Sequence, residues 1–448
     1  MIREMKRYFI LLLMVLLTGI ILLVVRRCGD DHPQRIKRSD KEVYRLNEMI
    51  TNRDSDLAQT QRMEQYITRW MARYNIRGAS LAIMRDQRLI YCKGFGWADK
   101  EYGDVAEAGS LFRMASASKL ITAIGIMKLR DEGRLTLNDK VFGPDGILSQ
   151  FTEFRDKRAA QITVQHLLEH TSGFSRIKGD PMFRTTDIMK WEGMTSTPTA
   201  DQLIAYQLRM RLRCTPGGPS QYSNIGYLVL SRIIEQVSGL TYEEYIKEHV
   251  LREAGCYDMH IAANYYDERK PHEVKYYGHD PGEVIESFDG SGAMRPREYG
   301  GNNITGLQGA GAWIASSAEL LRLVASIDGQ EGVKDILSPE SITILNGRNG
   351  HHGFGWAYVH AKGYRLVRTG TMSGTCAYIE WKHNDYSYVF LTNTSHYRGS
   401  TFTRDNISQM IRTAISRVKE WPEGRNLFVS APLATTEADD KTEPQSEN

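Results

Sequence analysis

Strand-like segments at the two ends of the chain's central region constrain its fold more than any other feature. Residues 79–100 alternate apolar and polar side chains, turn at Asp86 and Gln87 and then resume the alternation, which predicts an antiparallel hairpin. Residues 353–393 contain at least three further runs of this kind. Between them the apolar residues recur at helical steps, most clearly in 223–251. We therefore predict an α+β fold: an antiparallel sheet built from both chain ends and flanked by helices, plus a mostly helical lobe, with a cleft between the lobes.

The N-terminal segment predicts attachment to a membrane. From Phe9 to Val25 the chain is almost entirely apolar over seventeen residues, with Lys and Arg on both sides, a length that just spans a bilayer. We expect residues 1–28 to be an uncleaved anchor or a signal segment, with the domain outside the cytoplasm, on the periplasmic side of a bacterial envelope. A helix buried in a globular core is the alternative reading. Residues 29–56 are predicted to be a tether, 57–420 the domain and 421–448 a disordered tail.

Composition excludes several classes of protein. The 57 basic and 54 acidic residues are well mixed, which argues against nucleic acid as a partner. The five cysteines show neither a CxxC pair nor zinc spacing, so we expect buried thiols or one incidental disulfide. His351 and His352 have no carboxylate or further histidine at ligand spacing. We therefore expect no metal and no cofactor. The sequence does not indicate an oligomeric state.

One serine and one lysine have the spacing of a nucleophile and its base. On a helix, residues i and i+3 share a face, so Ser116 and Lys119 would place hydroxyl and amine side by side. A lysine kept neutral by burial can accept the serine proton, whereas Ser118 points elsewhere. The other reading is a helix start with a solvated lysine. Ser-x-x-Lys also occurs at Ser175/Lys178 and Ser416/Lys419, so the spacing alone is weak evidence.

Two further short patterns strengthen the first Ser-x-x-Lys. The sequence QYSNIGY contains Tyr222 and Asn224 at the start of a predicted helix, and LVRTGTMSG contains Arg368 to Gly370 on a predicted strand. Serine with lysine, tyrosine with asparagine, and a basic residue with Thr-Gly follow one another in the order found in penicillin-recognising serine enzymes.

The chain thus resembles the class C β-lactamase-related serine hydrolases, a family that includes D-Ala-D-Ala carboxypeptidases, D-aminopeptidases and family VIII carboxylesterases. The likeness extends over about residues 62–418 and includes GFGWADKE, ITVQHLLEHTSGF, GAGAWIASSAELLRL and HHGFGWAYV in the family's order. It implies a β-lactamase/transpeptidase-like fold and acyl transfer to water through an acyl-serine intermediate.

The resemblance also implies a role for individual residues. Ser116 would be the acylated nucleophile and Lys119 its proton acceptor, or the group that lowers a partner's pKa. Tyr222 would protonate the leaving group and later activate water.

Further residues would bind the substrate. Asn224 would hydrogen-bond the acyl side chain and Lys119, and Thr369 and Gly370 belong to the strand that would run beside the substrate. The backbone N–H groups of Ser116 and Thr371 would form the oxyanion hole.

Arg368 departs from the family pattern. The corresponding residue is typically lysine in the lactamases and histidine in many esterase and peptidase relatives. Arginine can hold a carboxylate with two parallel hydrogen bonds, so a substrate with a free carboxylate is one reading. A salt bridge to a neighbouring loop is the other.

Several functions remain open at this stage. A D-Ala-D-Ala carboxypeptidase or D-peptidase acting on cell-wall peptides, a carboxylesterase and a β-lactamase would share the same machinery. A membrane-tethered sensor or binder without turnover is the alternative from another class. Residues 257–303, rich in Tyr and Gly, are expected to overhang the cleft, and His166 and His170 are expected to satisfy carbonyls at a helix end.

Overall fold

A seven-stranded antiparallel sheet organises the residues described in this computed structural model, which are 45–177, 179–280, 282–350 and 352–429. The strands in chain order are β1 Gly78–Arg85, β2 Arg88–Asp99, β3 Asp104–Val105, β4 Phe112–Arg113, β5 His260–Ile261, β6 Val284–Glu286, β7 Met294–Pro296, β8 Trp313–Ala315, β9 Tyr358–His360, β10 Arg365–Met372, β11 Thr375–Lys382 and β12 Ser387–Thr392. The large sheet has the order β3-β2-β1-β12-β11-β10-β9, and two small sheets have the orders β4-β8-β5 and β6-β7.

The large sheet confirms the prediction that both chain ends contribute strands. The central pairing joins β1 to β12, with Ala79 opposite Thr392 and Met84 opposite Ser387. The predicted hairpin is β1–β2, and both residues of its turn are left-handed, Asp86 at φ 49° and Gln87 at φ 61°. Such a two-residue turn matches the twist of the paired strands. Because β1 lies near the start of the domain and β12 near its end, the central pair of the sheet joins segments that are far apart in the sequence.

Helices cover the sheet and form the second lobe. They are α1 Leu46–Met49, α2 Gln61–Arg73, α3 Ser118–Asp131, α4 Val164–Leu168, α5 Thr185–Glu192, α6 Ala200–Leu208, α7 Asn224–Ser238, α8 Tyr242–Ile246, α9 Ser317–Ala325, α10 Pro339–Leu345, α11 Gly399–Thr401 and α12 Ser408–Ile415. The α7 helix begins where Ser223 Oγ accepts a hydrogen bond from Gly226 N, and it ends at Gly239, which has φ 76°. These are ordinary start and stop signals, and they confirm the predicted helix and its end.

The alternation along β1 sends its side chains into two different cores. Leu81 and Ile83 pack with residues of α2 and α12 on one face of the sheet. Ala82 and Met84 face the other way and join the larger core, which includes α3 and α9. A strand buried on both faces lacks the polar positions of a half-exposed strand. The sheet is thus the middle layer between terminal helices and the helical lobe.

The domain is wider at both ends than the predicted span 57–420. Leu46 and Ile50, placed in the tether by the sequence analysis, are each 3% exposed and belong to the core. Leu427 and Phe428, assigned to the tail, are buried in the same core. Apolar side chains that can enter a core fold with the domain. The charged residues beside them in the sequence made these segments read as a tether and a tail.

Other expectations concern the ends of the chain and its cysteines. The predicted anchor, Phe9 to Val25, lies outside the described residues, as do residues 29–44 of the tether and 430–448 of the tail. Among the helices that are described, none is long and apolar enough to cross a membrane. The four described cysteines are free thiols: Cys92, Cys214, Cys256 and Cys376.

Candidate active site

Ser116 lies in a tight turn that joins β4 to α3. The 3₁₀ turn Ala115–Ala117 runs directly into α3. Ala115 has φ 48°, a left-handed conformation that costs a non-glycine residue on the order of 1–3 kcal/mol and is held by its surroundings. Ser116 itself is half-buried. The strained turn thus places the Ser116 hydroxyl at the start of a helix.

Lys119 is fully buried and has three acceptors around its amine. Its Nζ lies 2.7 Å from Asn224 Oδ1, 2.5 Å from the carbonyl oxygen of Ala310 and 3.3 Å from Ser116 Oγ. The side chain is 0% exposed. Three acceptors match the three protons of an ammonium group. The reading of a solvated lysine at a helix start is therefore wrong for Lys119, because its amine points into the protein and toward the serine.

Tyr222 approaches Ser116 from the other lobe. Its hydroxyl donates to Ser116 Oγ at 2.7 Å, and the residue is 37% exposed, so part of its side chain reaches solvent. Its ring packs on His170, with centroids 4.6 Å apart, and His170 Nδ1 accepts a hydrogen bond from Ser223 N at 3.2 Å. His170 therefore holds the tyrosine and its chain neighbour instead of satisfying a carbonyl.

Burial and the neighbouring charges bring the pKa values of both Lys119 and Tyr222 to about 8. The pKa of Lys119 is lowered to about 8, chiefly by burial and also by the Arg368 guanidinium, while Tyr222 and Asp180 act in the opposite direction. Burial by itself would raise the pKa of Tyr222, but the cations Lys119 and Arg368 and the hydrogen bonds with Lys119 and Ser116 bring it down to about 8. An amine and a phenol of this acidity can exchange protons with a serine hydroxyl near pH 8.

Arg368 reaches the nucleophile through the backbone. Its Nε donates to the carbonyl oxygen of Ser116 at 2.8 Å, and Nη2 donates to the same oxygen. The residue is 2% exposed. Of the two readings, the salt bridge to a loop is wrong, since the observed partner of Arg368 is a main-chain carbonyl. Arg368 therefore holds the backbone of the residue that carries the nucleophilic hydroxyl.

The rest of β10 lies against the turn that carries Ser116. A Cβ built on Gly370 would come within 1.9 Å of the Met114 carbonyl oxygen, so only glycine allows the strand so close. Thr369 and Thr371 are half-buried, and the Thr371 hydroxyl bonds to the Thr403 hydroxyl at 2.8 Å. The strand therefore runs beside the turn that carries the nucleophile.

Two groups that contact the site residues were not predicted from the sequence. Asp180 is buried and accepts a hydrogen bond from Asn224 Nδ2 at 2.7 Å. The Ala310 carbonyl bonds Lys119, and a backbone carbonyl cannot be singled out from residue types. A GDP sequence after a Ser-Gly turn could have suggested a loop aspartate at Asp180, but not its partner.

The segment 257–303 lies next to β10 and to the helical lobe. The turn at Gly374 that ends β10 packs against Tyr276, where a Cβ on the glycine would lie 2.6 Å from the tyrosine Cβ. Farther along, Glu286 of β6 pairs with Lys190 of α5 at 2.9 Å. The segment thus contacts both the turn after β10 and helix α5. Within the described part of the chain, no group of three or more His, Cys, Asp or Glu residues could hold a metal ion.

Comparisons with known proteins agree with this geometry. The family model described as Beta-lactamase matches residues 63–408, more than half of the chain. Penicillin-binding protein 4* of Bacillus subtilis (strain 168) is 26% identical over 320 residues, which cover 68% of this chain and 65% of that protein. The match therefore spans less than two thirds of that relative's length.

Solved structures share the fold. The octameric penicillin-binding protein homologue from Pyrococcus abyssi superposes with a TM-score of 0.58 at 24% identity, covering 82% of this chain and 77% of that one. The D-amino acid amidase from Ochrobactrum anthropi SV3, solved with L-phenylalanine amide, gives a TM-score of 0.61 at 19% identity, covering 81% and 99%. With the family match over most of its domain, the chain belongs to the β-lactamase family of serine hydrolases.

Proposed function

We propose that this chain hydrolyses an ester or amide through an acyl-serine intermediate. The observation that carries the proposal is the position of Ser116 Oγ, 2.7 Å from the Tyr222 hydroxyl and 3.3 Å from Lys119 Nζ. A hydroxyl becomes a useful nucleophile when a base of suitable pKa lies within hydrogen-bond reach, and two such groups do so here.

The contacts of Lys119 support its assignment as the base for acylation. A neutral amine has two N–H donors and one lone pair. The oxygens of Asn224 and Ala310 take the two donors, which leaves the lone pair for Ser116. As Lys119 takes the proton, Oγ bonds to the substrate carbonyl carbon and the C=O electron pair moves onto its oxygen. The N–H groups of Ser116 and Thr371 are the proposed donors to that oxyanion.

Tyr222 completes the cycle in this proposal. Its hydroxyl gives a proton to the leaving amine or alcohol as the tetrahedral intermediate collapses to the acyl-enzyme. The resulting phenolate then takes a proton from water, whose oxygen bonds to the acyl carbon. The second collapse breaks the bond to Ser116 Oγ, which recovers its proton from Lys119. The lowered pKa of Tyr222 suits both steps near pH 8.

The substrate class is an inference from the charge and the predicted location. We propose cell-wall peptides of the D-Ala-D-Ala type, or a carboxylic ester, met outside the cytoplasm by an enzyme tethered through residues 9–25. Arg368 would be the residue that holds a substrate carboxylate. Such a substrate needs no cofactor.

Two alternatives have support of their own. A β-lactamase is suggested by the similarity to penicillin-binding protein 4*, although Arg368 stands where the lactamases typically have lysine. A tethered ligand sensor or binder without turnover would need the same pocket but no working base. The two side chains within hydrogen-bond reach of Ser116 Oγ, Lys119 and Tyr222, argue against the sensor.

Labelling with a fluorescent phosphonate tests the nucleophile. The purified full chain should be labelled, Ser116→Ala should not, and Ser175→Ala, which changes a serine from another of the three Ser-x-x-Lys patterns, should be labelled at the normal rate. Hydrolysis of p-nitrophenyl esters, nitrocefin and D-Ala-D-Ala peptides then separates esterase, lactamase and peptidase. A labelling burst without steady turnover on any substrate would favour the sensor, and loss of labelling in Ser175→Ala alone would refute Ser116 as the nucleophile.

A further inference from the structure

Asp180 is a buried carboxylate that contacts Asn224, which in turn contacts Lys119. It is 8% exposed. One of its oxygens, Oδ2, accepts a hydrogen bond from Asn224 Nδ2 at 2.7 Å. The other, Oδ1, accepts one from Met182 N at 3.2 Å and so caps the 3₁₀ turn Pro181–Phe183. A cap needs only one oxygen, so the second contact calls for its own explanation.

The contact with Asp180 determines which way the Asn224 amide faces. A carboxylate only accepts hydrogen bonds, so the atom of Asn224 that faces it must be the NH₂ group. The amide oxygen then faces the opposite way, where it lies 2.7 Å from Lys119 Nζ. The reverse orientation would place an oxygen against the carboxylate and an NH₂ group against the amine, two repulsive contacts in a buried place.

The orientation of Asn224 in turn determines where the lone pair of Lys119 points. With two carbonyl oxygens accepting its N–H groups, the neutral amine directs its lone pair toward the third neighbour, Ser116 Oγ. If Asn224 were reversed, its NH₂ group would donate to that lone pair and remove it from the serine. We propose that Asp180 is a positioning residue that aims the lone pair of Lys119 at the nucleophile by fixing the amide of Asn224. This proposal rests on the proposed function, in which Lys119 is the base.

Asp180 also acts on Lys119 through its charge. The charged or titratable groups around the amine are Tyr222 and Tyr227 from the helical lobe, whose ring centres lie 4.9 and 5.5 Å from Nζ, His170 behind them, Arg368 on β10, and Asp180. Asp180 raises the pKa of Lys119 whereas Arg368 lowers it. Neutralising Asp180 should therefore let the acid limb of the pH–rate profile move to lower pH, because Lys119 would lose its proton more readily.

Asp180→Asn separates positioning from capping. Asparagine can keep the cap through Oδ1, but its Nδ2 would then face the NH₂ group of Asn224 and favour the reversed amide. We expect kcat to fall about 10- to 100-fold, KM to change less than about threefold and the acid limb to move down. The matched control is Asp156→Asn, because Asp156 also caps a 3₁₀ turn, Lys157–Gln161, and should leave kcat within about twofold.

An exchanged pair provides the second variant. Asp180→Asn combined with Asn224→Asp restores donor-to-acceptor matching at both contacts, and the carboxylate now beside Lys119 should move the acid limb to higher pH. We expect at least a tenfold recovery of kcat over the single Asp180→Asn variant, measured above that limb, even if the single variant folds poorly. A kcat for Asp180→Asn equal to that of Asp156→Asn, or no recovery in the exchanged pair, would overturn the positioning role. Phosphonate labelling of Ser116 is measured separately, so that failure of the positioning role can be distinguished from failure of the proposed function.

Discussion

Replacing Tyr222 with phenylalanine tests the proposed division of labour between phenol and amine. The change removes one oxygen, the one 2.7 Å from Ser116 Oγ, and leaves a ring that can still pack on His170. A lost general acid slows its step by about 10²- to 10⁴-fold, which corresponds to about 3–5 kcal/mol of transition-state stabilisation. An anilide or peptide should suffer most, because its amine leaving group requires a proton, and a p-nitrophenyl ester least.

The same variant should change the pH profile in a defined direction. In the unmodified enzyme, activity should rise as Lys119 loses its proton and fall as Tyr222 loses its own, so the limbs of the profile meet near pH 8. Tyr222 raises the pKa of Lys119, whereas burial and Arg368 lower it. Without the phenol, the acid limb should move below pH 8 and the alkaline limb should disappear.

The assay is kcat/KM from pH 5.5 to 10 on an anilide and an ester. Tyr227→Phe is the matched control, because its ring also packs on His170 and its hydroxyl donates to the Leu168 carbonyl at 3.1 Å, away from Ser116. That variant should keep both limbs. If Tyr222→Phe retained anilide turnover within about threefold and kept its alkaline limb, the assignment of Tyr222 as the acid would be refuted.

Two further predictions concern buried charges. Burial raises the pKa of Glu319 from 4.5 to about 7, so its contribution to stability is complete below pH 4.5 and is lost as pH rises through 7. Glu319→Gln should remove about 3 kcal/mol of this pH dependence of the unfolding free energy. The urea midpoints at pH 4.5 and pH 8 should then lie closer together than in the unmodified protein, and an unchanged difference would contradict the prediction. Arg368→Lys should lower the preference for substrates with a free carboxylate and raise the reaction with penicillin, measured as ratios of kcat/KM. If neither ratio moves, Arg368 acts only through the Ser116 carbonyl.

Short-range patterns were enough to predict the main elements. Strand-like runs joined by a two-residue turn predicted the β1–β2 hairpin, and apolar residues at helical steps predicted α7. Both rest on local rules that hold whatever lies around them. The domain boundaries were set too narrowly, since Leu46 and Phe428 lie in charged surroundings and are apolar anchors only because a core receives them.

Spacing along the chain was enough to bring Ser116 and Lys119 together, whereas Asp180 and the Ala310 carbonyl join the site only through long-range packing. Ser116 and Lys119 are close because three residues make one helical turn, a local relation that spacing reveals. Asp180 and Asn224 are 44 residues apart, and the Ala310 carbonyl is 191 residues from Lys119. The direction of a lone pair, the facing of an amide and a lysine pKa near 8 depend on such distant neighbours and on burial, which appear only when the chain has closed around the amine.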